Sequence, residues 1–290
     1  MIRYPVGRDA LLEAIEAEKP GWIERARQRT DAFRAAAKYD ESSGIWSAIK
    51  NVFRGFQAQK CAFCERQLAG APFGAIDHDV EHYRPKNSVR KWPPPNRELS
   101  YDFETGEEME NGYYLLAYSV FNYVTACKVC NTPLKSNYFP IADRRGSATE
   151  EDPRRLASER PFLPFPLGDT DDDPEELIAF DGILAVPSTP DLESHEWRRA
   201  AVTIDFFALN EREELRLQRA ALLKGTYLAL QLRDHDDDVT RETARQWLAD
   251  IDTPGQPHAN CLRSFVRLYS ADREHAIEII RELNRAFPRS

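Results

Sequence analysis

Two cysteine pairs constrain this chain more than anything else in it: Cys61-Ala-Phe-Cys64 and Cys127-Lys-Val-Cys130. A two-residue spacer lets a tight turn aim both sulfurs at one ion, so the two pairs together can close a single tetrahedral zinc site. Residues 65 to 126 lie between the inner cysteines, so a chain bound in this way must bring two distant segments together. Metal binding of this kind contributes on the order of 10 kcal/mol to folding. Four thiolates leave no open coordination position, which makes the expected site structural rather than catalytic. The competing interpretation is four unrelated buried thiols. Cys261, the fifth cysteine, stands alone in an apolar stretch and reads as a core residue. This usage suits metal binding in a reducing compartment better than a disulfide framework.

The rest of the chain must be globular around that staple. Of its 290 residues, 42% are hydrophobic, enough for a proper core. No apolar run approaches the roughly 18 to 20 residues of a membrane span. The N-terminal segment carries acidic residues where a signal peptide has its apolar centre, so the expectation is a cytoplasmic protein with no membrane contact. The net charge of -9 is unfavourable for a protein that grips phosphates. Lys and Arg nevertheless outnumber Asp and Glu between Lys50 and Ser100, so a polyanion would meet the chain near the cysteine motif. Residues 169 to 176 are almost wholly acidic. They lack the glycine and terminal glutamate of a calcium loop, which predicts a solvated face.

Three segments are expected: a helical one over 1–58, the metal-binding core over 59–141, and an irregular crossing followed by a helical region over 142–290. Apolar residues recur at three and four from 8 to 58, with breaks at Pro20-Gly21 and Ser42 to Gly44. This stretch reads as a supporting layer or a docking surface. Turn residues between 61 and 89 favour strand and hairpin. Trp92 to Gly112, with its run of prolines, reads as a surface insertion. Tyr114, Leu115 and Tyr118 have helical spacing, and Asn131 is placed to cap a helix with Pro133 in its first turn. Asp181-Gly182 marks a hairpin turn, and Asn210 is placed to cap a long amphipathic helix.

The chemistry enters at Glu81-His82, inside the run HDVEHYRPK. Phosphodiester hydrolysis needs an activated water, a cation on the phosphate and help for the leaving oxygen. A neutral imidazole can accept a proton from water at cellular pH, and an adjacent carboxylate can hold a divalent cation. Neighbouring side chains on a strand point to opposite faces, so a bulge or bend is expected between them. Arg84, Lys86, Arg90 and Lys91 follow closely and read either as phosphate contacts or as a solvated basic turn. His78 reads as a structural hydrogen-bonding histidine, a second ligand or a spare base.

The succession of CxxC, an acid-His pair followed by proline, Asn122, then Cys127-Lys-Val-Cys130-Asn131 and Lys135 resembles zinc-stapled HNH endonucleases. That resemblance implies an α+β, mostly helical protein with a ββα-metal finger set between helical segments. It assigns His82 as general base, Asn122 as the asparagine that steadies the base-bearing loop, and Glu81 with Asn131 as ligands of a catalytic Mg²⁺ or other divalent cation. Cys61, Cys64, Cys127 and Cys130 would hold a structural Zn²⁺, and Arg84, Lys86 and Lys135 would contact nucleic acid, whether DNA or RNA. Two departures are Glu81, where Asp is frequent, and the long insertion before Asn122. More narrowly, EHYRPK, GYYLLAYSVFNY before the second pair, Phe139-Pro140, DDDPEELIAF and ALNEREELRLQR are similar to the HNH nuclease branch of Septu-type and retron-linked antiphage defence systems. The likeness covers roughly residues 55 to 225. In such systems the nuclease works with an ATPase partner. The alternative is a non-catalytic zinc module that binds nucleic acid or a partner protein.

Overall fold

The computed structural model describes residues 1–70, 72, 74–99 and 101–287. The N-terminal helices α1 (Arg8–Glu18) and α2 (Trp22–Ala36) follow from their apolar spacing. Leu11 and Ile15 are buried on one, and Trp22, Ala26 and Phe33 on the other. Gly21, at φ 73°, makes the break between them. A 3₁₀ turn (Trp46–Ile49) leads into α3 (Lys50–Phe56), whose Phe53 packs edge-on against Tyr123 with ring centroids 5.7 Å apart.

The central unit begins with the short α4 (Gly74–Asp77) and β1 (His78–His82). It resumes at β2 (Tyr123–Cys127), which pairs antiparallel with β1 from His78↔Cys127 to His82↔Tyr123. All five residues of β2 are buried. Sequence patterning favoured strands and hairpins across 61–89. Among the described residues, β1, a tight bridge between Lys60 and Gln67 that closes the first cysteine turn, and a single bridge from Val89 to Met109 take that form. The Tyr114 to Tyr123 stretch makes two 3₁₀ turns and then a strand instead of a helix. Its apolar side chains are buried on too many sides for the one-sided stripe of an amphipathic helix.

Residues Trp92 to Gly112 are anchored rather than floating on the surface. Trp92 is buried against Phe206 at 4.4 Å, and Arg97 donates to Asp205 Oδ1 at 2.7 Å. Gly112 shows why glycine stands there. At φ 55°, a Cβ would meet Pro85 O, Ser88 N and Asn87 N inside 3.0 Å, so this backbone presses directly on the loop after His82.

The C-terminal region contains α5 (Pro174–Leu177), the hairpin β3 (Ile178–Asp181) and β4 (Leu184–Pro187), and five longer helices. These are α6 (His195–Phe206), α7 (Glu213–Leu232), α8 (Asp238–Asp250), α9 (Ala259–Ala271) and α10 (Arg273–Ala286). Asn210 does not cap α7. Its amide clamps Ala185, donating to the carbonyl at 2.8 Å and accepting from the N–H at 2.7 Å, and Arg212 takes the cap position. In the acidic run, Asp171 and Asp172 are claimed by the buried Arg199 at 2.7 Å each, so this stretch is partly a counter-charge and only partly a solvated face. Cys261 is buried in α9, as its apolar surroundings predict.

The chain is thus a mostly helical α+β protein with, among the described residues, two small two-stranded sheets. One hydrophobic cluster runs from Met1 to Leu283 and draws on all three sequence segments. Among the described residues no helix is long and apolar enough to cross a membrane.

Candidate functional site

The four paired cysteines meet. One ligand atom from each of Cys61, Cys64, Cys127 and Cys130 lies within 4.8 Å of the others, and all four side chains are buried. Cys64 and Cys127 sulfurs are 3.8 Å apart. A tetrahedron with metal–sulfur bonds of 2.3 Å has edges of about 3.8 Å, so the donor set fits Zn²⁺. Burial pushes the Cys61 and Cys130 thiols well up, so all four sulfurs cannot ionise together without a cation among them.

Polypeptide hydrogen bonds also hold the pairs together. Fully buried Gln57 donates to Thr125 O at 2.8 Å and accepts from Thr125 N at 2.7 Å, replacing a missing strand partner for β2. The same amide donates to Lys60 O at 3.0 Å, and Ala62 N donates to Thr125 O at 3.0 Å. Cys127 N–H then points at Cys61 Sγ, 3.3 Å away.

Asn122 sits one residue before β2 with no exposed surface. Its Oδ1 accepts from Arg84 N at 2.8 Å, and its Nδ2 donates to Arg84 O at 3.0 Å and to Leu116 O at 3.3 Å. Tyr83 N donates to Asn122 O at 2.8 Å. The backbone immediately after His82 is therefore held at both of its polar groups by one side chain.

His82 is buried between Trp46 and Tyr123, with ring centroids at 4.8 and 4.9 Å and both contacts edge-on. Its Nε2 lies 3.0 Å from Ala117 O. A carbonyl can only accept, so Nε2 carries the proton and Nδ1 keeps its lone pair. Burial and the neighbouring Lys86 ammonium hold the imidazole well below its usual pKa, so it is neutral at pH 7.

The expected bulge between Glu81 and His82 is absent, because the β1–β2 register runs unbroken through both. The two side chains still reach one cleft. The sheet has only two strands, so β1 has a free edge, and a cleft of about 390 Å³ wraps around it. Trp46 and Ser47 line one wall, and Asn131, Thr132 and Ser136 line the other. Glu81 is buried and faces Lys135, whose Nζ is 3.6 Å away and fully buried. Burial pushes the Glu81 carboxyl up to about 7 even against the Lys135 and Lys86 charges, and it pushes the Lys135 ammonium down to about 8.

The helical segment after the second cysteine pair is a six-residue π-helical turn, Cys130–Lys135, and not an Asn131-capped helix. Asn131 stands inside the turn, where its side chain is free to face the cleft. Glu81, His82 and Asn131 therefore share one cleft, with Asn122 behind it. Lys86 lies at its rim over the Trp46 and Tyr39 rings at 4.7 and 5.3 Å.

Arg84 does not join them. Its guanidinium turns into the interior to pair with buried Glu159 at 2.9 Å, because the following proline and the Asn122 clamp send the backbone that way. Lys135 likewise presents no surface to solvent. Among the described residues, neither ring nitrogen of buried His78 has a hydrogen-bond partner. Gln57, Trp46 and Glu159 were not visible as site residues in the sequence. None belongs to a recognisable spacing, and each acquires its role only from what the fold sets opposite it.

Together these features define a cysteine-stapled α+β protein whose staple abuts a cleft bearing an acid, a neutral histidine and an asparagine. The chain is 25% identical over 246 residues to Septu protein PtuB of Bacillus mycoides (strain KBAB4), a similarity that spans 80% of this chain and 75% of that protein. No family model matches the sequence, and no solved structure matches the fold.

Proposed function

We propose that this protein is a metal-dependent HNH endonuclease that hydrolyses nucleic-acid phosphodiester bonds and serves as the effector of an antiphage defence system. The observation that carries this reading is the convergence of Glu81, His82 and Asn131 on one cleft, with Asn122 holding the loop behind it. A zinc scaffold by itself needs none of the four. The order β1, β2 and the Cys130–Lys135 turn supports the ββα-metal finger as the local fold. The likeness to the Septu protein supports the defence role, and with it an ATPase partner that could supply the phosphate grip this acidic chain lacks.

In this reading His82 Nδ1 takes the proton from the attacking water, while Ala117 O keeps the ring in the tautomer that leaves that nitrogen free. Glu81 and Asn131 would hold a divalent cation, whose charge would offset that developing on the phosphate. Lys86 at the cleft rim is the basic residue best placed for a phosphate oxygen. Arg84 acts from inside, as the buttress of the loop.

A second reading, a non-catalytic zinc module, has one observation in its favour: Glu81 already has a cation partner in Lys135. The test is cleavage of single- and double-stranded DNA and RNA with Mg²⁺ or Mn²⁺, with the ATPase partner present. His82→Ala should lower the rate by about 10²-fold or more. A variant that cuts as fast as wild type removes His82 as the base, and no cation-dependent cleavage of any substrate favours the second reading.

A further inference from the structure

Zn²⁺ held by four thiolates carries a net charge of -2, and here all four sulfurs are buried. A dianion in a protein interior is costly unless cations and hydrogen-bond donors meet it. One arginine, distant in the sequence, does so. Arg212 Nη1 lies 3.2 Å from Cys130 Sγ, while its Nε pairs with Glu214 at 2.7 Å. Its side chain is only 9% exposed, and its Nη2 is buried with no partner among the described residues.

Arg212 is also a point of attachment. It occupies the cap position of α7, and its backbone N–H bonds Ala208 O at 3.2 Å across a corner in which Ala208 has φ 48°. A non-glycine residue in that region is strained and needs its surroundings to hold it there. Phe207 in the same corner stacks on Phe63, one of the two residues between Cys61 and Cys64, with ring centroids 4.2 Å apart. Each cysteine turn therefore touches the α6–α7 corner once, the first through an aromatic stack and the second through an N–H···S hydrogen bond.

We infer that Arg212 is the counter-cation and positioning residue of the thiolate cluster, and that through it the metal site holds the α6–α7 corner of the C-terminal helical region against the nuclease core. This rests on the cluster binding zinc. Lysine would not substitute fully, because a guanidinium can give one N–H to the sulfur and another to Glu214 while an ammonium has no such fork.

The test uses the full-length, zinc-loaded protein. Metal analysis of the wild type comes first, and a chain without zinc would remove the zinc assignment itself. Given one zinc per chain, the rate of zinc transfer to a chromogenic chelator should rise about 10- to 100-fold in Arg212→Gln, as for other residues that orient metal ligands, with Arg212→Lys between it and wild type. In the Co²⁺-substituted protein, the thiolate-to-cobalt charge-transfer band should shift in Arg212→Gln, because loss of an N–H···S bond alters the sulfur donor. Unchanged zinc release and an unshifted band in a folded Arg212→Gln protein would overturn the inference. If that variant does not fold, Glu214→Gln decides. Freed from its carboxylate, Arg212 should hold zinc at least as long as in wild type, whereas faster release would mean that the Arg212–Glu214 pair acts as a structural unit and Arg212 is not the counter-cation.

Discussion

Asn122 concentrates in one buried side chain what the candidate site requires of its scaffold. Its amide satisfies the N–H and C=O of Arg84 and the carbonyl of Leu116, so truncation leaves buried polar groups without partners. Asn122→Ala should cost roughly 2–4 kcal/mol in urea unfolding. It should also depress any cleavage rate more than an equally destabilising core substitution does, because the loop it releases directly follows His82. Asn122 stood out in the sequence because it falls between an acid-His pair and a cysteine pair. Gln57 did not, although it performs the same service for Thr125. An amide becomes a surrogate strand only if a strand lies opposite it, and spacing along the chain does not record that. Arg84 shows the converse error. Its place two residues after His82 suggested a phosphate contact, but the local direction of the backbone turns it to Glu159.

Helix boundaries and helix roles diverged in the same way. Apolar periodicity located α1, α2, α7 and α10 well, because their one-sided burial is written into the spacing. Caps were less legible. Asn131 and Asn210 are good capping residues, but Asn131 falls inside a π-helical turn and the Asn210 amide is taken by Ala185. The start of α9 adds a pH dependence. His258 occupies its cap position at φ 53°, buried, with Nε2 2.9 Å from Gln218 Oε1. Burial, and then the Arg219 charge, push its pKa down to about 3, against an unfolded value near 6.5. The fold thus favours neutral His258. That contribution is complete above about pH 6.5 and is lost as the pH falls toward 3. Between pH 7 and 5 the loss should reach about 2 kcal/mol. In urea titrations His258→Asn, a residue that tolerates this backbone region, should flatten the slope of stability with pH over that interval.

For the whole molecule, the cysteine cluster is the junction. It joins the first cysteine turn to β2, and its neighbours Phe63 and Cys130 reach the α6–α7 corner. If the four-cysteine cluster holds zinc as proposed, one continuous core that contains it should lose cooperativity as a unit when the metal goes. Chelation under mildly denaturing conditions, or Cys127→Ser, should broaden the thermal transition and lower its midpoint by ten degrees or more, on the order expected for losing several kcal/mol in a domain of this size. Calorimetry with metal analysis measures both. The sequence by itself determined the cysteine cluster and the helical character of both ends, because cysteine spacing and apolar periodicity are local properties that survive without the fold. Tertiary structure alone decided that Glu81 and His82 share a cleft without a bulge, that Arg84 and Lys135 are buried, and that Arg212 faces the sulfurs across 82 residues of chain. Those are statements about what lies opposite a side chain, and burial, charge and hydrogen-bond partners come into being only when distant segments pack.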